Sequence, residues 1–343
     1  MSILGRLFGE KEEHVPGTAA APDGDMARVL EALAELNPIP FETLTPEEAR
    51  HQPTPADAVM TILRKRGMEN MALMGVQTED ITIPGAAGPL EARIYRPDTR
   101  HPVHPVVIYW HGGGWVFADI NVYDSTPRGI ARFADCIVIS CHYRQAPENK
   151  FPAAHEDALE AYRWVLENAQ SFGGDPTRIA VMGESAGGNL ACATAIAARD
   201  QGLRQPCHMA LVYPVAGADM NTPSYRENVN AKPLSKAGME WFVKHVFNSP
   251  EEAKDPRVNL VEADLHDLPS ATIITAEIDP LCSEGELLGD RLEQAGVDLR
   301  RKTFHGVTHE FFGMGLVVKD AAAAEAFVAH ELKRAFGTAV LPI

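Results

Sequence analysis

The chain has 343 residues, 45% of them hydrophobic, which is enough for a sizeable core in one α/β body with insertions or in two average domains. Its formal net charge of −16 argues against nucleic acid and anionic membrane surfaces as partners. Five cysteines (Cys136, Cys141, Cys192, Cys207 and Cys282) are odd in number and lack paired spacing, so they read as reduced thiols, with neither a disulfide framework nor a metal site expected.

Residues 9–24 are polar and rich in Gly, Ala and Pro, and 1–24 as a whole reads as a flexible N-terminal segment. A short apolar patch at 3–8 is broken by Arg6 and followed by acids, unlike a signal peptide with its basic start and long apolar stretch. No run reaches the length of a membrane span, so a cytoplasmic protein is expected, with an interfacial anchor at 3–8 as the rival. Met26, Val29, Leu30, Leu33 and Leu36 recur at helical spacing, and Asn37-Pro38 ends that helix. Thr45 before Pro46 starts a helical turn, and 55–66 reads as a further helix. From Ile81 the pattern changes to short β runs at 81–83, 90–95, 106–110 and 137–140. Helices are predicted at 155–170, after residue 185, at 283–295 and at 321–336. Such alternation predicts an α/β fold with a mostly parallel central sheet and helices on both faces.

Two glycine motifs follow apolar strands. The run 106–110 leads directly into His111-Gly112-Gly113-Gly114. Three glycines there suit either a flexible loop or a loop whose backbone N–H groups must face a substrate oxygen unobstructed. The run 179–182 leads into Gly183-Glu184-Ser185-Ala186-Gly187, and an Ala-rich helical stretch follows at 189–199. A Gly-x-Ser-x-Gly between strand and helix holds its serine in a strained turn with Oγ exposed, beside the positive end of the helix. HGGG upstream of GxSxG is the oxyanion-hole arrangement of esterases and lipases.

A serine nucleophile needs a base, and the base needs an orienting carboxylate. Asp279 ends the apolar strand that starts near Ala271 and precedes Pro280, as expected for a loop at a strand's carboxyl end. His309 lies in a Gly-containing loop after the predicted strand 299–304, with His305 as the nearest rival base. The order Ser, Asp, His is that of α/β-hydrolases.

Between Pro214 and Leu268 lies a long segment that is not strand-like. Met239, Phe242, Val243 and Val246 recur at helical spacing within 235–247. This helix either packs on the core or caps the site with Met239 and Phe242 toward the substrate. The strand 298–304 is the last predicted and hence an edge, which invites pairing with another chain. A homodimer through it is expected, although Arg300, Arg301 and Lys302 equally suit a guard against pairing.

In these motifs the chain resembles the hormone-sensitive lipase-like (bacterial family IV) carboxylesterases of the α/β-hydrolase fold, over roughly residues 75 to 335. The motifs in order are HGGGWVF from His111, YRQAPE from Tyr143, GESAGG from Gly183, DPRV from Asp255, DPL at Asp279 and HEFF from His309. The resemblance implies Ser185 as nucleophile, His309 as base, Asp279 as orienter, and the N–H groups of Gly113, Gly114 and Ala186 as the oxyanion hole. It implies no cofactor and a small-molecule ester substrate. It divides the chain into N-terminal cap helices at 25–75, a core at 76–215, a cap insertion at 216–262 and the rest of the core at 263–343. Bulky Trp115, Phe117, Met239 and Phe242 near the site imply short- to medium-chain esters. Glu184 stands where the family often has Asp, Glu310 where Gly is common, His142 where Asp is common and Gln145 where Leu is common. A non-catalytic binder on the same fold, an amidase and an interfacial lipase are the rival readings.

Overall fold

The computed structural model describes residues 20–99 and 101–339. The expected patch at 3–8 and most of the expected flexible segment 1–24 lie outside the described residues. Helix α1 (Gly24–Glu35) buries Met26, Val29 and Leu33. The chain turns after it at Asn37, whose left-handed φ of 53° is one that Asn tolerates. Helices α2 (Pro46–Ala49) and α3 (Pro55–Lys65) each start with Pro and a capping box, Thr45 with Glu48 and Thr54 with Asp57.

An antiparallel hairpin of β1 (Val76–Gly85) and β2 (Gly88–Pro97) opens the sheet. Both strands run past the predicted 81–83 and 90–95. Strand β1 is an edge paired only with β2, so Gln77, Thr78, Glu79 and Asp80 stay exposed and give no apolar signal. Then follow β3 (His104–Trp110), α4 (Ser125–Ala134), β4 (Ile137–Cys141), α5 (Ala153–Asn168), β5 (Gly174–Glu184), α6 (Ala186–Asp200) and β6 (His208–Val212). The chain continues through α7 (Pro223–Glu227), α8 (Lys236–Val246), β7 (Ser270–Ile278), α9 (Cys282–Gln294), β8 (Leu299–Thr308) and α10 (Lys319–Ala335). The strand order is β1-β2-β4-β3-β5-β6-β7-β8, with β2 antiparallel to both neighbours and β4 to β8 parallel through β3.

Successive residues of a strand face opposite sides, and β3 shows the result. Val106, Ile108 and Trp110 join the core under α5, α6 and α9, while Val107 and Tyr109 join the core under α1, α4 and α10. Strands β3, β5, β7 and β8 end on one rim, where open α/β sheets place their sites. Over that rim, the 3₁₀ turn Phe41–Thr43 meets α8: the Phe41 ring lies 5.2 Å from that of Phe242 and 5.4 Å from that of Trp241. The Trp241 indole N–H donates to the Leu44 carbonyl at 3.0 Å. The N-terminal helices and the 216–262 insertion thus touch each other above the sheet. Among the described residues no helix is long and apolar enough to cross a membrane.

Candidate active site

Strand β5 passes into α6 through Ser185, held at φ 56°, a conformation a non-glycine residue rarely adopts. The turn is clamped from both sides: the Ser185 N–H donates to the Val212 carbonyl at 2.9 Å, and its own carbonyl accepts from Asn189 and Val215. It is also too tight for side chains. A Cβ on Gly183 would lie 2.1 Å from the Gly187 carbonyl oxygen, and one on Gly187 would lie 1.9 Å from that of Trp110. Ser185 is thereby fixed with its hydroxyl on the cavity.

Two other strand ends supply its partners. His309, directly after β8, places Nε2 3.0 Å from the Ser185 hydroxyl and Nδ1 2.6 Å from Asp279 Oδ2. Asp279, directly after β7, is fully buried, and its other oxygen accepts from the Leu281 N–H at 2.9 Å. Burial works against the charged imidazole, but the Asp279 carboxylate outweighs it, so the His309 pKa stands above its ordinary 6.5. The rival base His305 is exposed on β8, faces Glu277 at 3.1 Å and is not part of the cavity lining.

The end of β3 supplies the glycine loop. Gly113 and Gly114 hold φ of 92° and 59°, and the Gly113 carbonyl accepts from the N–H groups of Val116 and Phe117. The N–H groups of Gly113, Gly114 and Ala186 donate to no hydrogen-bond partner among the described residues. The loop is braced from below. His111 Nδ1 is 2.7 Å from the Gly112 carbonyl, which only accepts, so Nδ1 carries the proton. Its Nε2 then accepts from His142 Nδ1 at 3.0 Å. Burial and the neighbouring His142 push the His111 pKa down to about 3, so it stays neutral. The Tyr143 hydroxyl reaches the His111 and Gly112 carbonyls at 3.0 and 3.1 Å. From the cap side, Arg50 donates to the Val116 and Ala146 carbonyls at 2.9 and 2.8 Å and pairs with Glu148 through both terminal nitrogens.

Beneath the serine, Glu184 accepts from the Tyr109 hydroxyl at 2.6 Å and from Tyr213, whose ring centroid lies 4.6 Å from that of His309. Burial lifts the Glu184 carboxyl to about 7 despite these donors, so it is a structural acid and not a solvated one. Asn189 ties α6 to the loops beside the cap by donating to the Val215 and Val258 carbonyls, both at 2.9 Å.

Ser185, His309, Gly113, Gly114, Trp115, Met239 and Phe242 all line one cavity of about 970 Å³, near the top of the range for small-molecule sites. Asp279 lies behind His309, off the cavity, and His305 is not part of its lining. The roles of Arg50, Asn189, Tyr123 and Tyr213 carried no sequence signal, because each depends on contacts between distant segments. Glu310 had one signal, its departure from the usual Gly.

The chain matches known proteins on the same grounds. A family described by the α/β-hydrolase fold covers residues 107–313. The chain is 36% identical to the carboxylesterase NlhH of Mycobacterium tuberculosis over 93% of its own length and 98% of that protein's. It is 34% identical to the ethyl acetate hydrolase of Pseudomonas putida over 71% of its length and 78% of that protein's. The hyperthermophilic esterase of the archaeon Pyrobaculum calidifontis superposes with a TM-score of 0.83 at 35% identity, covering 92% of this chain and 98% of the other. With its strand order, its serine turn and these relatives, the chain belongs to the hormone-sensitive lipase-like carboxylesterases of the α/β-hydrolase fold.

Proposed function

We propose that the protein hydrolyses short- to medium-chain carboxylic esters through an acyl-enzyme on Ser185. The observation that carries this is the Asp279–His309–Ser185 relay, with 2.6 Å and 3.0 Å contacts in a buried setting. His309 Nε2 takes the Ser185 proton as Oγ attacks the ester carbonyl, and Asp279 fixes the ring with its proton on Nδ1. Negative charge then develops on the former carbonyl oxygen. The N–H groups of Gly113, Gly114 and Ala186 meet it, each contributing about 3–4 kcal/mol in the transition state. His309 returns its proton to the alcohol as it leaves. It next activates water, which releases the acid. A pair of matched butyryl substrates, one ester and one anilide, tests the class. Rapid ester turnover is expected, and equal or faster anilide cleavage would make the protein an amidase.

Two further expectations concern His309. Since its pKa is raised, the neutral form that serves as base is lost from a higher pH than in free imidazole. The acid limb of kcat/KM is therefore expected to have its midpoint above 6.5. His309→Gln should be inactive and His305→Gln should retain activity; the reverse result would reassign the base.

Acyl preference should fall at roughly two to eight carbons, gaining about 0.8 kcal/mol per buried methylene until the wall is met. Phe242 supports this limit, since its ring occupies the space where a Gly114 side chain would stand, 2.2 Å from the Cβ position. Phe242→Ala should move the optimum to longer chains. An enzyme that cleaves sixteen-carbon esters faster than four-carbon ones would contradict the reading. The Pseudomonas putida relative, named for ethyl acetate, also supports it.

The edge strand β8 supports a homodimer. Its cations are occupied within the chain: Arg300 pairs with Asp298, Arg301 with Asp290 and Glu293, and Lys302 stacks on Phe304. They are thus less available to repel a second copy. Light scattering at micromolar concentration should give twice the monomer mass, and a monomer mass would refute the dimer.

A further inference from the structure

A second carboxylate opens on the cavity immediately beside the base. Glu310 lines the cavity together with Tyr123, Ser185 and His309. One of its oxygens accepts the Tyr123 hydroxyl at 2.5 Å, and the other meets no hydrogen-bond partner among the described residues. The side chain is only partly buried, so it keeps surface accessible where it faces the cavity. Its backbone sits at φ 69°, a left-handed conformation that disfavours Glu and suits Gly. Such strain persists where surrounding structure imposes it, and it concentrates at functional sites.

The position of the pair relative to the chemistry follows from two contacts. The Tyr123 hydroxyl lies 2.3 Å from where a Cβ on Gly112 would stand, so it abuts the glycine loop. Glu310 is the next residue after His309. The Tyr123–Glu310 pair therefore spans the gap between the oxyanion loop and the base. When the acyl-enzyme forms, the leaving alcohol oxygen must be within hydrogen-bond reach of His309 Nε2, the atom that returns its proton. The alcohol part therefore passes close to His309, whose chain neighbour Glu310 also lines the cavity. Trp115, Val215, Met239 and Phe242 give the cavity apolar wall. Asp219, Lys232 and Lys254 also line the cavity and are exposed; Arg50 is held by Glu148 and two carbonyls, and Glu42 sits on the Phe41–Thr43 turn.

We propose that Glu310, held by Tyr123, determines specificity by binding a hydroxyl group on the alcohol part of the substrate, so that monoesters of diols and polyols are preferred over simple alkyl esters. A hydroxyl both donates and accepts, so it pairs with a carboxyl in either charge state. This matters because burial holds the Glu310 carboxyl above its usual range. The inference rests on the proposed reaction at Ser185 and names its alcohol class.

Two esters of equal size test it: 2-hydroxyethyl butyrate and propyl butyrate. Their kcat/KM ratio, divided by the same ratio for hydroxide-catalysed hydrolysis, removes intrinsic reactivity. For the unaltered enzyme the corrected ratio should be about tenfold or more in favour of the hydroxyethyl ester, as for a hydrogen bond to a charged group. Glu310→Gly, which the left-handed backbone accommodates, should bring it to near one. Glu310→Gln keeps the Tyr123 contact but replaces one carboxyl oxygen by an amide nitrogen, and should lower the ratio, by less than Glu310→Gly does. A corrected ratio near one in the unaltered enzyme overturns the proposal. So does a ratio unchanged in Glu310→Gly and Glu310→Gln, since rates on the two esters would then fall together, as expected if Glu310 acted only through His309. Failure of the Ser185 reading is distinct: Ser185→Ala would then retain turnover of both esters.

Discussion

Replacing Ser185 by Ala is expected to lower kcat by at least about 10⁴-fold, or roughly 5.5 kcal/mol, with the fold unchanged. The reason lies in the turn. Ser185 is strained at φ 56°, but alanine carries the same Cβ and meets the same strain, so the substitution removes only Oγ. That oxygen makes a single hydrogen bond among the described residues, to His309 Nε2. Nothing structural depends on it. Kinetics on a butyryl ester and a thermal melt of the same sample check both parts. Retention of more than about a thousandth of the rate would place the nucleophile elsewhere.

Gly187→Ala is expected to be the most damaging small substitution in the molecule. The added methyl would sit 1.9 Å from the Trp110 carbonyl oxygen, less than any real contact. Two backbones collide there, the end of β3 and the start of α6, so no side-chain rotation relieves the clash. The strand leading to the glycine loop and the helix behind Ser185 must separate. The cost is expected to reach about 3 kcal/mol or more, at the upper end for overpacking. Activity should fall as well, since both groups that must converge on the ester carbonyl move. A denaturant melt against the unaltered protein checks the first effect. A variant with native stability and rate would show that the two backbones have slack that the geometry denies.

The two damaged motifs were also the ones most readable from sequence, for a physical reason. A Gly-rich turn between an apolar run and an Ala-rich run is local information, and it fixed Ser185, Gly113 and Gly114 before any fold was known. Asp279 and His309 were readable for the same reason, since each directly follows a strand. Helix α4 was not. Its sequence holds Pro127 and Gly129, which weaken any helical reading, and Gly129 lets Glu325 approach, its Oε2 lying 3.0 Å from where a Cβ would be. Strand β6 was missed because five residues, from His208 to Val212, offer no alternation when both faces are buried. The bracing of the glycine loop by His142, and the pairing of Tyr123 with Glu310, join residues 31 and 187 positions apart. Contacts of that range leave no periodic trace in the chain.

Arg50 ties the N-terminal helices to the segment that follows the glycine loop. Its guanidinium grips the carbonyls of Val116 and Ala146, and Ala146 in turn donates to the Trp115 carbonyl. From the end of α2 it thus holds two segments at once: Val116, just after the glycine loop, and Ala146, which is itself hydrogen-bonded to that segment. A change that frees Arg50 therefore also loosens the backbone next to the glycine loop, so the N-terminal helices and that loop are positioned together.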